Sequence, residues 1–233
     1  MLSIIIPVYN EVKTIDKIVK KIIKIKKFKK QIIIVDDGSD DGSVKKLKEL
    51  KKIYKIDKII FNKKNKGKGF AIKLAQKKIK EKYTIIQDAD LEYDPKDYVK
   101  IIETLKKKKY KIVYGSRVLG INRYSNNNFT SNIRVLANHI LTIISNIINS
   151  QHLTDAHTCY KAFDTKIFKK IKLKEDGFSF CPEVTTKISN LKLKIFEVKI
   201  SYRGRTYKEG KKISFIDGFR ALKTLLKYKI FIN

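Results

Sequence analysis

Tyr83-Thr84-Ile85-Ile86-Gln87-Asp88-Ala89-Asp90-Leu91-Glu92 is the stretch on which the reading of this chain turns. Its apolar run is too short for a helix and ends abruptly on carboxylates two positions apart, so it reads as a buried strand whose carboxyl end delivers charge to a sheet edge. Working back from it, Gly67 and Gly69 open a helix carrying Phe70, Ala71, Leu74, Ala75 and Ile79. Before that come a strand at 58–61, a helix with Val44, Leu47 and Leu50 on one face, a strand at 31–35, a helix with Ile15, Ile18, Val19, Ile22 and Ile23, and a first strand at 2–7. Working forward, Pro95 suits the first turn of a helix whose buried stripe is Val99, Ile102 and Leu105, and 111–115 is the next strand. Strands alternating with helices specify an α/β fold, a Rossmann-like and mostly parallel sheet with helices on both faces.

At 233 residues the chain fits one domain. Residues 1–118 form the half with regular alternation and 119–233 a second half of different character, with no Pro-, Gly- or Ser-rich linker between them. Two cysteines, Cys159 and Cys181, are too few for a disulfide scaffold, and the N-terminal apolar run is stopped by Pro7 with no basic leader, so the expected location is cytoplasmic. The 54 Lys and Arg against 23 Asp and Glu give a formal net charge of +31, which attracts nucleic acid, anionic lipid or polyphosphate alike. The lysines are scattered over every helix and the aromatics sit inside apolar patterns. A nucleic-acid groove with interleaved aromatics is therefore not indicated.

In the second half, 119–132 is polar and Asn-rich and reads as a loop. The apolar stretch 133–148 that follows reads as an amphipathic helix, with Arg134, Asn138, Thr142, Ser145 and Asn149 in a narrow polar stripe. It is too short and polar to span a bilayer, which takes about 20 apolar residues. Lying on a membrane surface, covering one end of the sheet and being buried in the core all fit that pattern. A helix carrying Val184, Ile188 and Leu191, a strand at 194–202 and a basic helix at 215–228 complete the chain.

Ligands of open α/β sheets collect beyond the carboxyl ends of the strands. Here three strands end in acid: Pro7-Val8-Tyr9-Asn10-Glu11, Asp36-Asp37-Gly38-Ser39 and Asp88-Ala89-Asp90-Leu91-Glu92. Carboxylates gathered at one edge repel unless a cation or hydrogen-bond donors compensate. Asp88 and Asp90 suit one hard, oxygen-liking ion, magnesium or manganese, that keeps positions open for phosphate. Asp-Asp-Gly-Ser also reads as a turn and helix cap, and Gly67-Lys68-Gly69 as a plain helix start in preference to a phosphate cradle.

Taken in order, Ile4 to Glu11, Val35 to Ser39, Asp88-Ala89-Asp90 and Gly115-Ser116-Arg117 resemble the landmarks of the inverting family 2 glycosyltransferases of GT-A fold, most closely their dolichyl-phosphate mannose synthase-like branch. Asp155 to Lys161, Phe180 to Thr185 and Arg203 to Lys212 resemble the polyprenyl-phosphate sugar transferases. The resemblance implies that Pro7, Tyr9, Glu11 and Asp37 contact nucleobase and ribose, and that Asp88, Ala89 and Asp90 meet metal and diphosphate. Arg117, Arg205 and Lys211 would complete the phosphate set. Glu92 stands where those enzymes tend to carry Gln and is a candidate third metal ligand.

The reaction so implied moves a hexose from a GDP- or UDP-sugar, the metal and basic loop stabilising the departing diphosphate. A hydroxyl acceptor needs a general base, for which Asp155 and Glu183 are the carboxylates outside the donor motifs, unless Asp155 is a cap and Glu183 a first-turn helix residue. A phosphate monoester is already an anion. The expected acceptor is therefore a polyprenyl phosphate, met at the anionic inner surface of the membrane by a peripheral protein, alone or with a separate membrane partner. Transfer to a saccharide hydroxyl in polysaccharide or glycolipid assembly is the alternative, and a basic nucleic-acid-binding protein without activity the distant one.

Overall fold

The computed structural model describes residues 1–107, 109–120, 129–205 and 215–230. β1 (Leu2–Val8), α1 (Ile15–Lys24), β2 (Lys30–Asp36), α2 (Ser43–Ile53), β3 (Lys58–Phe61), α3 (Lys68–Gln76) and β4 (Tyr83–Ile86) alternate as the periodicity requires. Asp94 then accepts a hydrogen bond from the Lys96 N–H, Pro95 begins a single 3-10 turn, and α4 (Tyr98–Lys106) leads to β5 (Ile112–Ser116). The second half supplies α5 (Phe129–Asn149), β6 (Lys161–Asp164), α6 (Thr165–Lys170), α7 (Phe180–Asn190), β7 (Phe196–Lys199) and α8 (Phe215–Ile230).

Among the described residues the seven strands form one sheet in the order β3-β2-β1-β4-β6-β5-β7. β1 runs parallel to β2 on one side and β4 on the other, with Ile5 opposite both Ile33 and Ile86. The winding reverses between β1 and β4, which opens a crevice beyond their carboxyl ends. Alternate residues of the central strands enter opposite cores. Ile4, Ile6, Ile32, Ile34 and Ile85 pack with α1, α2 and α4, whereas Ile5, Ile33, Val35 and Ile86 pack with α3 and α7. Both faces are therefore covered, and the strands read as continuous apolar runs.

Three features depart from the sequence reading. β6 lies antiparallel between β4 and β5, with Ala162 opposite Ile85 and Val113, where no strand was expected. Its first residue, Lys161, is fully buried, donating to the Ala156 carbonyl at 2.8 Å with its ammonium 3.9 Å from the centre of the Tyr114 ring. The last strand is shorter than 194–202, although an isolated bridge joins Tyr202 to Tyr93, and Leu191 lies just beyond α7 and is exposed.

The third departure concerns α5, which begins at Phe129, inside the stretch expected to be a loop; 121–128 of that stretch and the Arg134 side chain lie outside the described residues. Its polar stripe points inward. Thr142, Ser145 and Asn149 are buried, and Leu136, Ile140, Ile143 and Ile147 are exposed. Thr142 accepts from the Ala156 N–H at 3.4 Å, Asn149 donates to Ser145 Oγ at 3.3 Å, and Asn146 brackets Leu153 through its N–H (2.9 Å) and carbonyl (2.8 Å). No described helix is long and apolar enough to cross a membrane.

Gly38, in the loop after β2, has φ +77°, and a Cβ there would lie 2.7 Å from the Lys64 carbonyl carbon. Gly38→Ala therefore combines left-handed strain with a backbone clash and is expected to lower stability in urea unfolding by about 2 kcal/mol or more. An unchanged midpoint would contradict this account of the loop.

Candidate active site

The loops that follow β1 and β2 are laced together before any ligand is considered. The Asn10 N–H donates to Ser39 Oγ at 2.9 Å, its side-chain amide donates to Asp40 at 2.7 Å, and the Glu11 N–H donates to Ser43 Oγ at 2.9 Å. Asp37 ties in α3: one carboxylate oxygen accepts from the Lys66 and Gly67 N–H groups at 3.0 and 2.6 Å, the other from Asn62 Nδ2 at 2.8 Å. Gly67 and Gly69 then press against the 175–177 segment, where a Cβ on Gly67 would stand 2.6 Å from the Asp176 carbonyl oxygen. Close packing thus explains the glycines, as the plain helix start required. The lysine between them does something else.

Lys68 enters a cavity of about 320 Å³ bordered by Pro7, Tyr9, Glu11, Asp37, Asp88, Ala89, Asp90, Glu92, Arg117 and Arg205. Its ammonium donates to Asp88 Oδ1 and lies 2.9 Å from Cys159 Sγ. Burial works against its charge, but the Asp88 carboxylate outweighs that and holds Lys68 protonated well above its ordinary range. On the facing side Arg205 reaches Glu11 with Nη1 and Nη2 at 3.2 and 3.0 Å and Asp90 Oδ2 with Nη2 at 3.2 Å, while its Nε is buried with no hydrogen-bond partner among the described residues. Asp90 is pushed up to about 7 by burial first, then by the charges of Asp88 and Glu92, against the pull of Arg205. A carboxylate held so close to neutrality marks unbalanced negative charge. Together with the orphaned Arg205 donor, it fits a dication and an anionic ligand entering together.

Glu92, the candidate third metal ligand, borders the same cavity and also holds main chain in place. Its two oxygens are committed to the 202–205 loop, accepting from the Tyr202 hydroxyl at 2.9 Å and the Arg205 N–H at 2.7 Å. It fastens the loop that carries Arg205. Lys211 lies outside the described residues.

Arg117 borders the cavity, but its guanidinium is held bidentately by Asp155 at 2.6 and 2.7 Å, and the Arg117 N–H adds a third bond at 3.1 Å. Burial would raise the Asp155 carboxyl, yet the charge and hydrogen bonds of Arg117 prevail and hold it below its usual value. A depressed carboxyl with both oxygens engaged is a poor proton acceptor, and both Asp155 oxygens are spent on Arg117. Glu183 is engaged in the same way. It is fully buried, accepts from the Lys174 and Glu175 N–H groups at 2.6 and 3.0 Å, pairs with Lys187 at 2.6 Å, and does not border the cavity. It shapes the 174–177 segment against which Gly67 and Gly69 pack.

Lys68, His157, Cys159 and Phe178 also border the cavity and were not singled out as site residues. Lys68 could have been found from the pair of tight glycines that fixes where its side chain leaves the chain. His157 and Cys159 come from a segment whose only sequence signal was resemblance. His157 is kept neutral, lowered to about 4 by burial and then by Lys161.

A mostly parallel sheet whose acidic strand ends border one cavity, with arginine and lysine facing them, defines the GT-A class of nucleotide-sugar transferases. Residues 3–172 match the family described as Glycosyl transferase family 2, and the chain belongs to that family of glycosyltransferase enzymes. It is 28% identical over 247 residues to the UDP-N-acetylglucosamine–dolichyl-phosphate N-acetylglucosaminyltransferase of Methanococcus voltae, covering 99% of this chain and 96% of that protein. A dolichyl-phosphate beta-glucosyltransferase of Trichomonas vaginalis is 25% identical, covering 98% and 73%. In fold the chain matches Mycobacterium tuberculosis glucosyl-3-phosphoglycerate synthase, solved with Mn2+, UDP and glucosyl-3-phosphoglycerate, at a TM-score of 0.71 with 15% identity, covering 98% of this chain and 80% of that one.

Because Asp90 ionises near 7 in the folded chain and near 4 when unfolded, native stability drops as pH rises between those values and levels off above them. Asp90→Asn removes that penalty. Without metal the variant is expected to melt at or above the wild-type temperature at pH 8, to lose the advantage at pH 4, and to gain nothing from Mn2+ with UDP. A variant that melts lower than wild type at pH 8 would contradict the charge assignment.

Proposed function

We propose that the chain transfers a hexose from a UDP-sugar to a polyprenyl phosphate, with inversion at the anomeric carbon. The observation that carries the acceptor is the state of the carboxylates. Asp155 is pinned to Arg117 and Glu183 is sealed in a main-chain cap, so neither expected base is free to take a hydroxyl proton. A phosphate monoester needs no such base. The names of the dolichyl-phosphate transferases at 28% and 25% identity support the same acceptor class, and the first of them supports uridine as the nucleobase.

On this reading Asp37 and the strand-end residues Pro7 and Tyr9 form the wall for uridine, and Asp88 and Asp90 hold the metal beside the diphosphate. A bound divalent ion supplies positive charge to the phosphate oxygens as the nucleoside diphosphate leaves. Arg205 offers its unpaired Nε as well as a planar fork suited to phosphate, and Arg117, oriented by Asp155, faces the same space. Lys68 stays protonated and holds Asp88 in place. An acceptor of this kind is met at a membrane surface, so the reading also makes the protein a peripheral one.

Incubation with labelled UDP-sugar, Mn2+ and polyprenyl phosphate is expected to place label in a lipid released by mild acid. Label that enters only a saccharide hydroxyl product would transfer the assignment to polysaccharide or glycolipid assembly. Arg205→Lys, which keeps the charge and loses the fork, is expected to lower kcat/KM by about a hundredfold.

A further inference from the structure

We infer that the outward faces of α5 and α8 form a docking surface for an anionic lipid bilayer, inserted to the depth of the headgroups. On α5 the exposed residues Leu136, Ile140, Ile143 and Ile147 recur at helical spacing, and Ile147 is 75% exposed. On α8, Ile216, Phe219, Leu226 and Ile230 do the same, and Phe219 is 77% exposed. A helix normally turns its apolar stripe to the core, and α5 does the reverse, spending its polar side chains on the main chain beneath it. The helices touch: a Cβ on Gly218 would sit 3.8 Å from Leu141 Cδ1.

Charge decides what covers this face. On α8, Arg220, Lys223 and Lys227 fall at helical spacing beside the apolar stripe, all exposed. Arg220 pairs with Asp217 at 3.4 Å and Lys227 with Glu175 at 2.8 Å, so Lys223 carries the charge that no carboxylate among the described residues offsets. A second copy of the chain, itself at +31, would set cation against cation. An anionic bilayer takes both components at once, aliphatic and aromatic side chains among the acyl chains and cations among the headgroup phosphates. The surface is tied to the site. The inner side of α5 accepts from the His157 ring through the Leu141 carbonyl, and the Ala156 N–H donates to Thr142 Oγ1 at 3.4 Å. The helix that docks is thus the helix that backs one wall of the donor cavity.

This inference deepens the lipid-acceptor reading, yet its binding test stands apart from it. Sedimentation with phosphatidylcholine vesicles, alone or mixed with phosphatidylglycerol, is expected to bring the wild-type chain down with the anionic vesicles and not with the neutral ones. Phe219→Glu and Ile147→Glu should each reduce partitioning by about tenfold, and Lys223→Glu by at least about fivefold. All three should keep wild-type melting temperatures and wild-type turnover on a short, water-soluble isoprenyl phosphate. Equal binding by the variants, or no binding by the wild-type chain, overturns the proposal. A wild-type dimer in solution that Phe219→Glu splits would also overturn it, assigning the face to a second copy. Loss of vesicle binding in the variants, in a protein that transfers no sugar to any isoprenyl phosphate, would retire the acceptor reading and leave the surface standing.

Discussion

The structure depends on negative charge gathered at one point. β1, β2 and β4 run parallel and end side by side, so Glu11, Asp37, Asp88 and Asp90 arrive at a single crevice because the sheet reverses its winding there. Each of these carboxylates has been given a different answer to the repulsion. Asp37 is neutralised by N–H groups of the α3 approach, Glu11 by Arg205, and Asp88 by the buried ammonium of Lys68. Asp90 is left least compensated and is pushed toward neutrality. In the proposed reading a divalent ion would meet the charge of Asp90, and a phosphate would meet the buried Arg205 Nε.

The first half of the fold was legible because its strands are buried on both faces and its helices are amphipathic, which gives two distinct periodicities to read. Ile4 and Ile5 enter different cores yet look alike in sequence, which is what a doubly covered parallel strand requires. The second half was harder for physical reasons. β6 is four residues long and opens with a buried lysine whose partners, the Ala156 carbonyl and the Tyr114 ring, are supplied by the fold and are invisible in the local pattern. In α5 the polar stripe was visible, but its direction was not. A narrow row of Thr, Ser and Asn looks the same whether it faces water or the main chain of 153–156, which takes its hydrogen bonds from side chains.

The site divides along the same line. Strand ends place themselves, so Asp88 and Asp90 could be named as candidates from their place among three acidic strand ends, and family resemblance added Arg117 and Arg205. Side chains that are fastened by other side chains could not be judged in advance. Glu92, Asp155 and Glu183 were candidates for chemistry, and each accepts hydrogen bonds from its own partner: the Arg205 N–H, the Arg117 guanidinium and the Lys174 N–H respectively. The engagement of Asp155 and Glu183 is what supports, in the proposed reading, an acceptor that brings its own negative charge.

The central claim is that the crevice binds a nucleoside diphosphate and a divalent ion as one unit. Calorimetric titration of UDP into the protein, with and without Mn2+, tests it directly. The account predicts that Mn2+ tightens UDP binding by at least about tenfold, a coupling of roughly 1.4 kcal/mol. UDP affinity that is the same with and without the ion would contradict it.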